Sequence, residues 1–69
     1  MRDIKFLKEL GGKVKSARMS KGLKVRELGK LCNTDYSNLS RFENGQVDIK
    51  ILTLRNISIA LNMDIKDFL

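Results

Sequence analysis

Val25-Arg26-Glu27-Leu28-Gly29-Lys30-Leu31-Cys32-Asn33-Thr34-Asp35-Tyr36-Ser37-Asn38-Leu39-Ser40-Arg41-Phe42-Glu43 is the stretch that decides the fold. Val25, Leu28 and Leu31 or Cys32 recur at three- and four-residue steps, the spacing that puts side chains on one face of a helix. Asn33 closes that helix, because asparagine is, after glycine, the residue best able to take a left-handed cap. Asp35 follows, and its carboxylate can accept from the amide of Ser37 or Asn38, which predicts the N-cap of another helix running to about Glu43. One helix ends and the next begins within about four residues, a corner that crosses the two at roughly 90 to 120°.

The helix after the corner has an unusual pattern. Only Leu39 and Phe42, with Thr34 ahead of the cap, are placed to pack inward. Tyr36, Ser37, Asn38, Ser40 and Arg41 form an outward face rich in hydrogen-bonding groups, where a merely solvated face would more often carry Glu and Lys four residues apart. Such groups stand where an edge-reading surface would need them, and the pattern favours a binding surface over a merely solvated face.

Upstream, Leu7, Leu10, Val14 and Ala17 share one helical face, and Gly22 supplies a left-handed stop, so a first helix ends near Lys21. Gly11 and Gly12 each cost about 1 kcal/mol relative to alanine inside a helix, which leaves Ile4 to Leu10 alternatively as a separate turn or a frayed arm. Downstream, Asn44-Gly45 breaks the chain. Ile51, Leu54, Ile57, Ser58 and Leu61 then define a face of a fourth helix, closed by Asn62. Asp64 is placed to cap a last short helix in which Ile65, Phe68 and Leu69 point one way. The expectation is one all-α domain over residues 1–69, five helices with a helix-turn-helix formed by the second and third.

Composition narrows the function. The 69 residues are 42% hydrophobic and 32% charged, a balance foreign to disordered tails and membrane proteins. No apolar run approaches the roughly 20 residues that span a bilayer, and Met1-Arg2-Asp3 leads into no signal-peptide core, so a cytoplasmic location with no membrane partner is expected. The net charge is +6. Residues 1–30 hold ten basic and three acidic side chains, net +7, and residues 31–69 hold four and five, net −1. An anionic partner is expected to meet the first half; the plainer alternative is that the lysines serve solubility.

Histidine is absent, which removes the usual general base and the commonest metal ligand. The glycines build neither a phosphate-cradling loop nor a dinucleotide fingerprint, and the carboxylates are scattered singly apart from Asp64 and Asp67, which read as capping groups. No catalytic residue, metal site or cofactor is expected, and no enzymatic role. Cys32, the single cysteine, permits no internal disulfide and reads as a small core residue, with a reactive thiol as the minor alternative.

From Leu10 to Leu69 the chain resembles the Cro/repressor-type helix-turn-helix family, also called the Xre family. The residues that carry the resemblance are Leu10-Gly11, Val14, Lys15, Ala17, Arg18, Gly22-Leu23, Glu27-Leu28, the run Ser37-Asn38-Leu39-Ser40-Arg41-Phe42-Glu43-Asn44-Gly45, then Thr53-Leu54, Ile57, Ala60-Leu61 and Phe68-Leu69. It implies a compact five-helix repressor-like domain that binds double-stranded DNA. Carried over by position, it makes Tyr36, Ser37 and Arg41 base-reading residues with Asn38 and Ser40 beside them, Ser37 and Asn38 being equally suited to phosphate. The family's phosphate-binding glutamine at the start of the second helix is here Val25, preceded by Lys24 in place of a capping Ser or Thr, and Lys24, Arg26, Asn44 and Lys50 are the substitutes for the backbone clamp. Gly29 replaces the usual alanine at the helix crossing. Arg18 and Glu43 match two positions that pair across the domain and are assigned a structural role.

Leu52 and Ile59 on the fourth helix lie off its core face, and Phe68-Leu69 adds apolar area, which predicts a homodimer built from the fourth and fifth helices, against the plain alternative of ordinary apolar surface. The leading expectation is a small stand-alone transcriptional regulator, without an effector domain, that binds a short palindrome as a dimer. Stand-alone members of this size are similar to restriction-modification controller proteins, phage or plasmid repressors, or antitoxins, with RNA polymerase or a cognate toxin as further partners. A second expectation is an antitoxin or bridging module whose main partner is a protein. A third, a basic helix from Arg2 to Lys21 on an anionic membrane, is opposed by Asp3, Glu9 and the glycine pair.

Overall fold

The computed structural model describes residues 3–69; Arg2, the start of the basic stretch considered for membranes, lies outside the described residues. Four α-helices follow in order: α1 Ile4–Ser20, α2 Val25–Leu31, α3 Tyr36–Glu43 and α4 Ile51–Ala60. The expected fifth helix is instead a three-residue 3₁₀ turn, Ile65–Asp67. Its bonds are of the i→i+3 kind, Phe68 N to Ile65 O at 3.0 Å and Leu69 N to Lys66 O at 3.2 Å. Asp64 and Asp67 satisfy its leading amides, accepting from Lys66 N and Asp64 N at 3.1 Å each. This tighter winding carries Phe68 into the core.

The four α-helices all end alike. Gly22, Asn33, Gly45 and Asn62 each take a left-handed backbone, with φ between 55° and 73°. In each case the next amide reaches back to the carbonyl five residues before it: Leu23 to Arg18, Thr34 to Gly29, Gln46 to Arg41 and Met63 to Ser58, at 2.8 to 3.1 Å. These are Schellman closures, which satisfy carbonyls that the helix leaves open and turn the chain sharply. Two glycines and two asparagines suffice because only those residues occupy this conformation at little cost.

α1 runs unbroken through Gly11 and Gly12, so Ile4 to Leu10 is neither a separate turn nor a frayed arm. Asp3 caps its start, accepting from Phe6 N at 2.9 Å. Gly11 is buried where α1 crosses α3, and a Cβ there would collide with the carbonyl oxygen of Phe42. The helix accepts a poor former at this point because the close crossing buries its neighbours Leu10 and Val14 against Leu39 and Phe42. Leu28 and Cys32 of α2, Leu54, Ile57 and Leu61 of α4, and Phe68 complete the core. Cys32 is buried and unpaired, in keeping with a packing role.

Three assignments change. Leu69, expected to point the same way as Phe68, is exposed while Phe68 is buried. Ile51, expected on the inward face of α4, is exposed, because at about 100° per residue it falls on the edge of the face centred on Leu54, Ile57 and Leu61, at the first turn of the helix. Phe68, expected to add exposed area for dimerisation, is only 2% exposed and belongs to the core.

Candidate nucleic-acid interface

α2 and α3 meet at the corner through Gly29. A Cβ there would stand 2.7 Å from the carbonyl oxygen of Thr34 and 3.4 Å from Tyr36 Cβ, so a residue lacking even a methyl lets the two helices approach at this crossing. Asp35 caps α3 as expected, accepting from Asn38 N at 3.2 Å.

α3 is anchored on one side by the buried Leu39, Phe42 and Glu43. Tyr36, Ser37, Asn38 and Arg41 are exposed and Ser40 is half-buried. With about 100° between successive residues, Ser37 and Arg41 share the centre of the outward face, Tyr36 lies on the edge toward α2, and Asn38 on the opposite flank. Among the described residues the Arg41 guanidinium has no hydrogen-bond or ion-pair partner within the protein, whereas Arg18 is fully engaged. Five donors in a planar fork are thereby left for an external acceptor pair, the geometry that matches O6 and N7 of guanine.

Of the residues proposed for the backbone clamp, two precede α3 in the chain and two follow it. Asn44 is its C-cap and Lys50 the N-cap of α4, and both are exposed. Lys24 and Arg26, exposed on α2, line one shallow groove with Lys30 and Tyr36. Lys24 stands in the cap position without a capping side chain, and Glu27 supplies only the reciprocal bond of a capping box, accepting from Lys24 N at 2.7 Å. Lys30 is a member of this surface that sequence reasoning passed over. Its signal was the four-residue step from Arg26, which puts the two bases on one helix face.

Arg18 and Glu43 pair as the resemblance implied. Arg18 Nε and Nη2 donate to the two carboxylate oxygens of Glu43 at 2.7 and 3.1 Å, and Nη1 donates to Leu23 O at 2.6 Å. The side chains are 11% and 4% exposed. This bidentate clamp ties α1 to the end of α3.

Among the described residues no group of three or more His, Cys, Asp or Glu side chains is placed to hold a metal ion, and no helix is long and apolar enough to cross a membrane.

A short helix held by its inner face on two others, polar outside and flanked by basic groups, defines a helix-turn-helix DNA-binding regulator of transcription. A family model described as helix-turn-helix matches residues 14–68. The chain belongs to that helix-turn-helix family, of the Xre type. Among solved structures it is similar to the restriction-modification controller protein C.AhdI from Aeromonas hydrophila, with a TM-score of 0.89 and 24% identity over 91% of this chain and 96% of that one. It is also similar to the clp gene regulator ClgR from Corynebacterium glutamicum, with a TM-score of 0.88 and 27% identity over 91% of this chain and 67% of that one. The likeness to C.AhdI establishes the shared fold.

Proposed function

We propose that the protein recognises a short palindromic operator as a homodimer, with α3 in the major groove. The observation that carries this reading is the free Arg41 fork at the centre of an exposed polar face whose opposite side is wholly buried. ClgR, a gene regulator by description, matches most of the chain and supports the regulatory assignment. Arg41, Tyr36 and Ser37 read bases, with Asn38 and Ser40 beside them, and Lys24, Arg26, Asn44 and Lys50 hold phosphates.

Selection of bound duplexes from a randomised pool tests this directly. The expected result is an enriched sequence with two half-sites about 34 Å, or one helical turn, apart. Arg41→Ala, with folding intact by circular dichroism, is expected to weaken binding to that sequence by about tenfold or more and to relax preference at one position of each half-site. Lys24→Ala is expected to weaken all sequences alike and to flatten the log-log salt dependence by about 0.9 per half-site, about 1.8 for the dimer. Failure to enrich any sequence would favour a protein partner instead, and an Arg41→Ala variant that binds the selected sequence normally would remove Arg41 from the base-reading set.

The homodimer is supported by exposed Leu52 and Ile59 on α4, together with Ile51 and Leu69, each more than 60% exposed. A helix face with three large aliphatic residues in water is costly unless covered. Leu52→Asp combined with Ile59→Asp is expected to shift the sedimentation coefficient from dimer to monomer and to reduce affinity for the palindrome toward that for a single half-site. A wild-type monomer at micromolar concentration would remove this part of the proposal.

A further inference from the structure

Arg26 on α2 and Tyr36 at the start of α3 enter the interface as one unit. The guanidinium carbon of Arg26 lies 4.6 Å from the centre of the Tyr36 ring, and Arg26 Nη2 donates to the Tyr36 hydroxyl at 3.2 Å. The root of Tyr36 is held separately, since its Cβ and Cα lie against Gly29. The ring is therefore laid along α2, from Gly29 to Arg26, and does not swing freely from the end of α3.

Two consequences follow from that placement. A side chain already fixed in one rotamer loses less conformational freedom when it meets a partner. The accepted hydrogen bond also sets a direction: a phenolic oxygen that receives a proton donor from Arg26 has its own O–H left to point elsewhere. Arg26 and Tyr36 together divide two open grooves, one lined by Lys24, Glu27 and Lys30, the other by Lys30, Asn33 and Asp35. Lysines beside the phenol attract the phosphate backbone and bring base edges within its reach.

We propose that Arg26 is a positioning residue that holds the Tyr36 hydroxyl as a hydrogen-bond donor to a base-edge acceptor, and thereby sets the base preference at one position of each half-site. The proposal rests on the DNA-reading assignment above. In the major groove guanine, adenine and thymine each present an acceptor, while cytosine presents the N4 amino donor. The held phenol thus disfavours cytosine at the base it meets. Arg26 acts here through Tyr36, in addition to any attraction its charge exerts on phosphate.

The test is selection from a randomised duplex pool by the full chain and its Arg26→Ala, Arg26→Lys, Tyr36→Phe and Arg26→Ala/Tyr36→Phe variants, each first shown to melt like the parent. The expected result is that Arg26→Ala and Tyr36→Phe relax discrimination against cytosine at the same base, by about two- to fivefold, and that the double variant relaxes it no further. Arg26→Lys keeps the charge but loses the planar stack, so it is expected to retain the parent's salt dependence while still losing the preference. Uniform weakening by Arg26→Ala with an unchanged preference and a flatter salt dependence would overturn the proposal, leaving Arg26 a phosphate contact only. If the parent chain enriches no sequence, the DNA-reading assignment itself fails and the proposal falls with it, a result distinct from loss of preference in the variants alone.

Discussion

Glu43→Ala is expected to destabilise the domain by about 3 to 5 kcal/mol, because it leaves the Arg18 guanidinium largely buried without its carboxylate. The side chains are 11% and 4% exposed, so bulk solvent does not make up for the lost partner. For a domain of this size each kcal/mol corresponds to roughly 4 to 8 °C in Tm, which puts the loss above about 12 °C by thermal melting. Natural domains are stable by only about 5 to 15 kcal/mol, so a substantial fraction of the variant is expected to be unfolded at growth temperature. Arg18→Met combined with Glu43→Leu is expected to recover most of the loss, since apolar groups of similar volume commonly replace a buried pair at little cost. A Glu43→Ala variant that melts within a few degrees of the parent would refute the structural role. An operator affinity per folded molecule that drops sharply in the double variant would instead place Arg18 in the DNA-contacting set.

Gly11→Ala and Gly12→Ala are expected to act in opposite directions although they are neighbours in one helix. At Gly11 the added methyl would collide with the Phe42 carbonyl, a backbone group that moves only if α3 moves. Forcing α1 and α3 apart opens the core around Leu10, Val14, Leu39 and Phe42 and is expected to cost about 3 kcal/mol, even after the better helix propensity of alanine is counted. The displacement also tilts the outward face of α3, so operator binding should fall with stability. At Gly12 nothing lies within 4 Å of the added methyl, and Gly12→Ala is expected to stabilise by about 0.5 to 1 kcal/mol through helix propensity and a less flexible unfolded chain. Urea denaturation of both variants measures the contrast. Equal effects of either sign would show that the α1–α3 crossing is looser than the structure has it.

Most of the recognition corner was readable because its causes lie within a few residues of each other. The left-handed turns at Gly22, Asn33, Gly45 and Asn62 arise where a glycine or asparagine falls just past the end of a helix, and the Asp35 cap from a carboxylate three residues before its amide. The division of α3 into Leu39 and Phe42 inside and Tyr36, Ser37 and Arg41 outside is a matter of helical period. The pairing of Arg18 with Glu43 came from the family resemblance; no local rule connects residues on different helices.

The short-range features of this chain, its helix limits and the side of α3 that faces out, are consequences of periodicity and local backbone preference. Packing between distant segments decided the rest. It made Gly11 indispensable and Gly12 idle, left Ile51 exposed at the edge of the α4 core face, and drew Phe68 inward through a 3₁₀ turn. It also laid Arg26 across Tyr36. Each of these depends on where one helix crosses another, and a crossing is set by the summed contacts of the whole core, which no window of a few residues contains.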